Sequence, residues 1–279
     1  MSFKRFKTIN DKNINKKIKI MKIKLFFFFL SILSVFGLKS QNMIKIHQSN
    51  GTTLELPLYN IDSITYLIPG SIVTNPGQGV IFNGYTYASF VLGNGQEWMA
   101  ENLRTTNYAN GDIIPNVTVP IEWKFLTTGA WVHYNNDSLY ENTHGKLYNW
   151  YAVVDQRKLC PSGWHVPTDA EFTLLTDYLG GEAVAGDKMK STGNQYWLNQ
   201  NLGATNISGF SGLPSGICDD QGNFSLLGSS GAWWSSSSYD DPSTIFLGAW
   251  LYALTDIYAI ISRTIHSKTQ GYSIRCLKD

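Results

Sequence analysis

The sequence predicts an α+β fold with one or two helices, short antiparallel strands and long loops, preceded by a small N-terminal β-hairpin. Three observations lead there. From Val80 onward, many short strand-like runs are divided by Gly, Asn, Asp and Ser. One convincing helical period interrupts them. Nine Trp, 15 Tyr and 14 Phe supply core material for a fold with few long helices.

The elements follow in chain order. Residues 1–20 are basic and lack a core pattern, so they read as an upstream extension or an extended basic region, with the start at Met1 or Met21. Residues 21–40, MKIKLFFFFLSILSVFGLKS, set a basic start before an apolar run and a small residue, the layout of a secretory signal peptide cleaved near Ser40. The run is about 14 residues, short of the roughly 18 a spanning helix needs. The expectation is therefore a secreted, periplasmic or cell-surface protein that spans no membrane after cleavage. Residues 41–68 alternate apolar and polar side chains around Ser49-Asn50-Gly51, which predicts a hairpin of 43–46 with 53–56 and a further strand at 63–66. Such a short segment buries little core and reads as an appendage. Residues 69–79, PGSIVTNPGQG, have linker composition, and 80–279 form the main domain.

Within that domain Thr168 and Glu171 form a capping box. Phe172, Leu175, Tyr178 and Leu179 then recur at helical spacing until Gly180-Gly181 stops the helix. Residues 182–190 predict a shorter second helix. Strands are expected at 210–217, 224–227, 232–236, 249–254, 258–263 and 272–277.

The formal net charge of +1 conceals an asymmetry. Ten of the 22 Lys/Arg and one of the 21 Asp/Glu lie in residues 1–40, leaving 12 basic against 20 acidic residues and a net charge of −8. A chain this acidic repels phosphate backbones, which excludes nucleic acid as the expected partner.

The stretch 160–175, CPSGWHVPTDAEFTLL, gathers Cys160, Trp164, His165, Asp169 and Glu171 as if for chemistry. Each has a plainer role: Trp164 and Phe172 fill the core, Thr168 and Glu171 cap the helix, and the acids face its positive end. The five histidines show no metal-ligand spacing, and His165 is expected to make a polar contact at the strand-to-helix corner. In Gly93-Asn94-Gly95-Gln96-Glu97-Trp98 the third glycine of a dinucleotide loop is replaced by Trp98, whose bulk blocks a pyrophosphate. Gly186-Asp187-Lys188 puts an acid where a phosphate loop needs its lysine. The run Ser235–Ser238 follows Trp233 and Trp234 without a nucleophile elbow and reads as strand and turn, with both tryptophans structural. Asp219, Asp220 and Asn223 have the oxygen-rich look of a cation loop, yet Gly222-Asn223 between two strand-like runs reads as a hairpin turn. No cofactor is expected. Three cysteines, Cys160, Cys218 and Cys276, in an exported chain suggest one disulfide and one thiol left over, with three pairings open.

Seven stretches then carry a resemblance: QEWMAENLRTTNYANGD, GKLYNWYAVVD, LCPSGWHVPTDAEFTLLTDYLGG, AGDKMKSTG, ATNISGFSGLPSGI, GAWWSSSSYDD and KTQGYSIRCLKD. In this order they make residues 96–278 similar to the Fibrobacter succinogenes major paralogous domain, a family of exported bacterial proteins. The resemblance implies a C-type-lectin-like fold, of the branch shared with the formylglycine-generating enzyme. It also implies a bridge from the first helix region to the final strand, hence Cys160 with Cys276, leaving Cys218 free.

Lectin-like folds of this branch present ligands on the strands and loops before the last strand, here 236–268. Tyr239, Asp240, Asp241, Trp250, Tyr252 and Tyr258 are the ligand-binding residues this suggests, through aromatic faces and carboxylate acceptors. The competing reading is that alternating Trp250, Tyr252 and Leu254 simply face the core. The expected function is a non-catalytic binding or surface-interaction module for a glycan or protein, with a structural surface role as the alternative. A formylglycine-generating oxidase would need a copper-binding cysteine pair near the C-terminal part, where only Cys218 and Cys276 stand.

Overall fold

The structure is a computed structural model that describes residues 43–47, 53–57, 72, 74–199, 201, 203–240 and 247–279. The stretch expected to be a signal peptide, the strand expected at 63–66, the start of the linker and Asp241 lie outside the described residues. The chain divides into two units between Tyr66 and Leu67. In the first, β1 (Met43–His47) pairs antiparallel with β2 (Thr53–Pro57), Ile44 opposite Leu56 and Ile46 opposite Leu54.

The second unit is mixed α+β, and the ladders between its described strands are antiparallel, with isolated parallel bridges such as Trp233 to Ser273. Its first strands are β3 (Thr74–Pro76), β4 (Val80–Phe82), β5 (Tyr85–Tyr87), β6 (Ser89–Leu92) and β7 (Glu97–Met99). Next come α1 (Pro120–Lys124), β8 (Trp131–Val132), α2 (Glu141–His144), β9 (Leu147–Tyr148), α3 (Trp150–Val153) and β10 (Trp164–His165). The two longer helices, α4 (Asp169–Tyr178) and α5 (Glu182–Met189), precede β11 (Ser215–Cys218), β12 (Phe224–Leu227), β13 (Ser230–Asp240), β14 (Leu247–Thr255), β15 (Ile261–Ser267) and β16 (Leu277–Lys278). One sheet runs in the order β10-β16-β7-β6-β3 and a second in the order β13-β14-β15, while β4-β5, β8-β9 and β11-β12 form two-stranded pairs.

The β13-β14-β15 sheet lies between two cores because its side chains alternate at period 2. Trp233, Tyr252 and Leu254 point into one core, with Phe172, Leu175 and Leu179 of α4, Ala185 and Met189 of α5, Trp98 and Phe210. Trp234, Ala249 and Leu251 point into the other, with Trp150, Trp164, Tyr272, Ile274, Cys160 and Cys276. A smaller cluster gathers Trp123, Ala130, Val132, Leu147 and Cys218.

The helix α4 forms where its cap dictates. The Glu171 amide donates to the Thr168 hydroxyl, and the Thr168 amide donates to Glu171 Oε2 at 2.8 Å. Gly180 and Gly181, at φ 100° and 93°, end it in a conformation that other residues rarely adopt. His165 bridges the corner, with Nε2 3.0 Å from Glu171 Oε1 and Nδ1 2.6 Å from Asp279 Oδ1.

Two adjacent residues, Arg275 and Cys276, tie distant segments of the chain together, the cysteine within one core. Cys276 is bonded to Cys160 across 116 residues. Arg275 points the other way and is wholly buried. Its guanidinium donates to Asn102 Oδ1 (2.8 Å) and to the carbonyls of Met99 (3.1 Å), Phe210 and Ser211 (3.2 Å), and lies 4.4 Å from the Phe210 ring. Burial lowers its pKa to about 9. Asn102 also accepts from Trp233 Nε1 (2.8 Å) and donates to the His144 carbonyl (2.9 Å).

Candidate functional site

The outer end of the β13-β14-β15 sheet meets the N-terminus of α4, and there the structure assembles an aromatic and charged platform. β13 is bulged between Trp234 and Ser238, after which Tyr239 pairs with Gly248 and Asp240 with Leu247. The bulge carries the Ser237 hydroxyl to the Asp169 amide, which donates to it at 3.0 Å at the start of α4.

Pairing of β14 with β15 sets Trp250 opposite Ile265 and Tyr252 opposite Arg263. Arg263 is thus diagonal to Trp250, within reach of a long side chain. Its guanidinium lies 3.7 Å from the Trp250 ring centroid. The same guanidinium grips Asp169 with two bonds, Nε to Oδ1 at 2.7 Å and Nη2 to Oδ2 at 2.6 Å. That geometry raises the Arg263 pKa above its usual range, chiefly through the hydrogen bonds to Asp169. The Tyr239 ring meets Trp250 edge-on, centroids 5.6 Å apart. On the flank Lys268 Nζ lies 3.2 Å from Asp240 Oδ1 and 4.6 Å from the Trp150 ring centroid. Hydrogen bonds from Ser238 and then Lys268 hold the Asp240 carboxyl below its ordinary pKa.

Of the residues expected to contact a ligand, Tyr239, Asp240 and Trp250 come together here. Tyr252 does not share their surface. It is fully buried, its ring stacks on Phe172 at 4.4 Å, and its hydroxyl donates to Asp169 Oδ1 at 3.0 Å. Burial raises that phenol to about 12. The alternation of Trp250, Tyr252 and Leu254 points toward α4, and only Trp250, at the strand's outer end, stays half-buried. Tyr258 is exposed but sits in the β14–β15 connection at the other end of the hairpin, where its carbonyl accepts from the buried Lys190 at 3.0 Å. The structure therefore removes Tyr252 from the contact set and separates Tyr258 from it.

Two members of the platform escaped sequence reasoning. Arg263 looked like the end of a strand, and Asp169 like a charge at a helix start. Both roles depend on strand register and helix placement, which no local spacing encodes.

The other groups singled out by sequence take structural positions. Asp219 accepts from the amides of Gln221 (2.9 Å) and Asn223 (2.8 Å), and the Asp219 amide donates to the Asn223 carbonyl, which closes the β11–β12 turn. Among the described residues no group of three His, Cys, Asp or Glu could hold a metal ion. Cys218 is a buried free thiol raised to about 12, first by burial and then by Asp219. No described helix is long and apolar enough to cross a membrane.

Comparison with curated proteins and with solved structures found no match. The model of the Fibrobacter succinogenes major domain matches residues 91–278. The match takes in β7 through β16, including most of both cores, the bridge and the platform. It spans well over half of the sequence, and the chain belongs to the Fibrobacter succinogenes major domain family.

Proposed function

We propose that the chain is an exported, non-catalytic binding or surface-interaction module with a C-type-lectin-like fold, and that the Trp250 platform is its contact surface. The observation that carries this reading is the arrangement of Trp250, Arg263 and Asp169. An indole contacts a guanidinium over its ring and a tyrosine in a T-shaped pair, and the guanidinium is fixed by a bidentate carboxylate. Such a surface is already ordered before a partner arrives, so little side-chain entropy is lost on binding. Asp240 and Lys268 beside it offer an acceptor and donors to a sugar or a polar protein surface.

Export is supported by the layout of residues 21–40 and by the Cys160–Cys276 bridge, a bond that persists in oxidising compartments. The non-catalytic reading is supported by the cysteines themselves. An oxidase of the formylglycine-generating type uses a cysteine pair, whereas Cys276 is bonded to Cys160 and the Cys218 thiol is buried and raised to about 12.

The test is a glycan array and a defined-partner binding screen with the full chain and its Trp250→Ala variant. Glycan signals lost in the variant identify a sugar-binding platform. Protein signals lost in the variant identify a protein-binding one. Signals of either kind that Trp250→Ala leaves unchanged overturn the assignment of the site.

A further inference from the structure

We propose a second binding pocket on the other side of the β13 bulge, shaped for one ring-sized monocarboxylate. A cavity of about 230 Å³ opens there. Val153, Leu159, Val166, Trp164 and Cys160 form its apolar walls, and Asp155, Lys158, His165, Ser236 and Asp279 its polar ones. The bulge between Trp234 and Ser238 brings Ser236 to this side while Ser237 turns to α4.

The charges of the rim are mostly spent. Asp155 accepts from Arg157 three times, from its amide (3.0 Å), Nε (2.8 Å) and Nη2 (2.7 Å), and these bonds hold the carboxyl at about 2. Asp279 faces the His165 ring at 2.6 Å, and the opposite ring nitrogen faces Glu171. Lys158 is exposed at the mouth and Ser236 half-buried, and among the described residues neither the ammonium nor the hydroxyl is engaged by another protein group. Both can donate, and one is cationic, so the complementary ligand group is an anion with oxygen acceptors.

Lys158 is also held in an uncommon conformation. Its φ is +61°, in the left-handed region that a residue with a β-carbon seldom enters. Two backbone bonds fix it there: its amide donates to the Asp155 carbonyl (2.9 Å), and its carbonyl accepts from Ala109 (2.7 Å). A strained residue persists where its surroundings impose it, and such residues cluster at ligand clamps.

Size narrows the ligand further. The cavity lies below the roughly 300 Å³ at which drug-sized sites begin. It admits one six-membered ring with a short carboxylate arm. The ring would lie against Val153, Leu159 and Val166, and the carboxylate would meet Lys158 and Ser236. That chemistry is available from an aryl carboxylate or from a sugar acid.

Titration of the full chain with phenylacetate, glucuronate and the neutral 2-phenylethanol, followed by ligand-observed NMR, tests the pocket. Ligands of about ten heavy atoms bind weakly, so dissociation constants in the high-micromolar to millimolar range are expected. Saturation by phenylacetate supports the pocket with an aryl source, and saturation by glucuronate supports it with a sugar-acid source. Lys158→Met should weaken the bound carboxylate at least about tenfold, while Lys158→Arg should stay within about threefold of the parent, as loss and retention of one charge-assisted bond imply. Trp250→Ala should leave this binding unchanged, so failure of the platform and failure of the pocket are told apart. Equal binding of 2-phenylethanol, no effect of Lys158→Met, or no saturation by either acid would overturn the proposal.

Discussion

Replacing both bridged cysteines by alanine removes the Cys160–Cys276 bond while keeping small apolar side chains in the core. The bond closes a loop of 116 residues. Fixing those ends in the unfolded chain removes about 16 cal/mol/K of entropy, or about 4.8 kcal/mol at 25 °C. The structure adds little strain to set against this, since the Cα atoms lie 6.0 Å apart, inside the usual range for a bridge. The full chain should therefore lose about 3–5 kcal/mol in urea unfolding, read from tryptophan fluorescence. With a slope of roughly 2 kcal/mol/M, the midpoint should fall by about 2 M. Cys218→Ala, which breaks no disulfide and only the weak bond from the thiol to the Asp219 carbonyl (3.7 Å), is the control and should cost no more than about 1.5 kcal/mol. A loss below about 1 kcal/mol in the double variant would refute the reasoning. It would mean that the unfolded chain already holds these segments together, or that the two cores close without the bridge.

Three further outcomes follow from buried groups. His144 is buried against Tyr140 and Tyr196, and burial lowers its pKa from 6.5 to about 4. The unfolded chain takes up a proton near pH 6.5 that the folded chain refuses until about pH 4, so stability is full above 6.5 and falls on acidification through that window. The loss should reach about 3 kcal/mol, measured as the difference between parent and His144→Leu urea midpoints at pH 7 and 4.5, and equal pH slopes would count against it. Gly186 lies in the middle of α5, where alanine ordinarily stabilises by about 1 kcal/mol. Here an added β-carbon would stand 2.5 Å from the Ile260 carbonyl oxygen, so Gly186→Ala should lower the thermal midpoint, and a rise would show the contact to be loose. Arg275→Met strips a donor from Asn102 and from the carbonyls of Met99, Phe210 and Ser211 and should cost about 3–5 kcal/mol by urea unfolding, with a neutral result contradicting the hub.

How much of this was legible in the sequence depends on the range of the interaction. The helix α4 was readable because Thr168, Glu171, Phe172 and Leu175 are a few residues apart and each acts on its neighbours. The β11–β12 turn was readable for the same reason. The helices α1, α2 and α3, of four or five residues, are too short to show a period. The strand expected at 210–217 shrinks to Ser215–Cys218 because Phe210 and Ser211 lend their carbonyls to Arg275 instead of a ladder. The strand expected at 258–263 shifts to Ile261–Ser267, where it pairs with β14 along its length. That shift moves Arg263 from a strand end to the middle of β15, beside Trp250. Tyr252 was misjudged on similar grounds. Alternation shows that Trp250 and Tyr252 share a face, but not that α4 covers it.

Arg275 and Cys276 are neighbours in the chain, yet each is tied to segments far behind it. The guanidinium reaches back to residues 99–102 and 210–211, and the sulfur reaches back to 160. A chain made from its N-terminus forward therefore can complete neither core until residues 275 and 276 exist. Folding of both cores is thereby made conditional on one dipeptide, and the stretches made before it have no finished core to settle into.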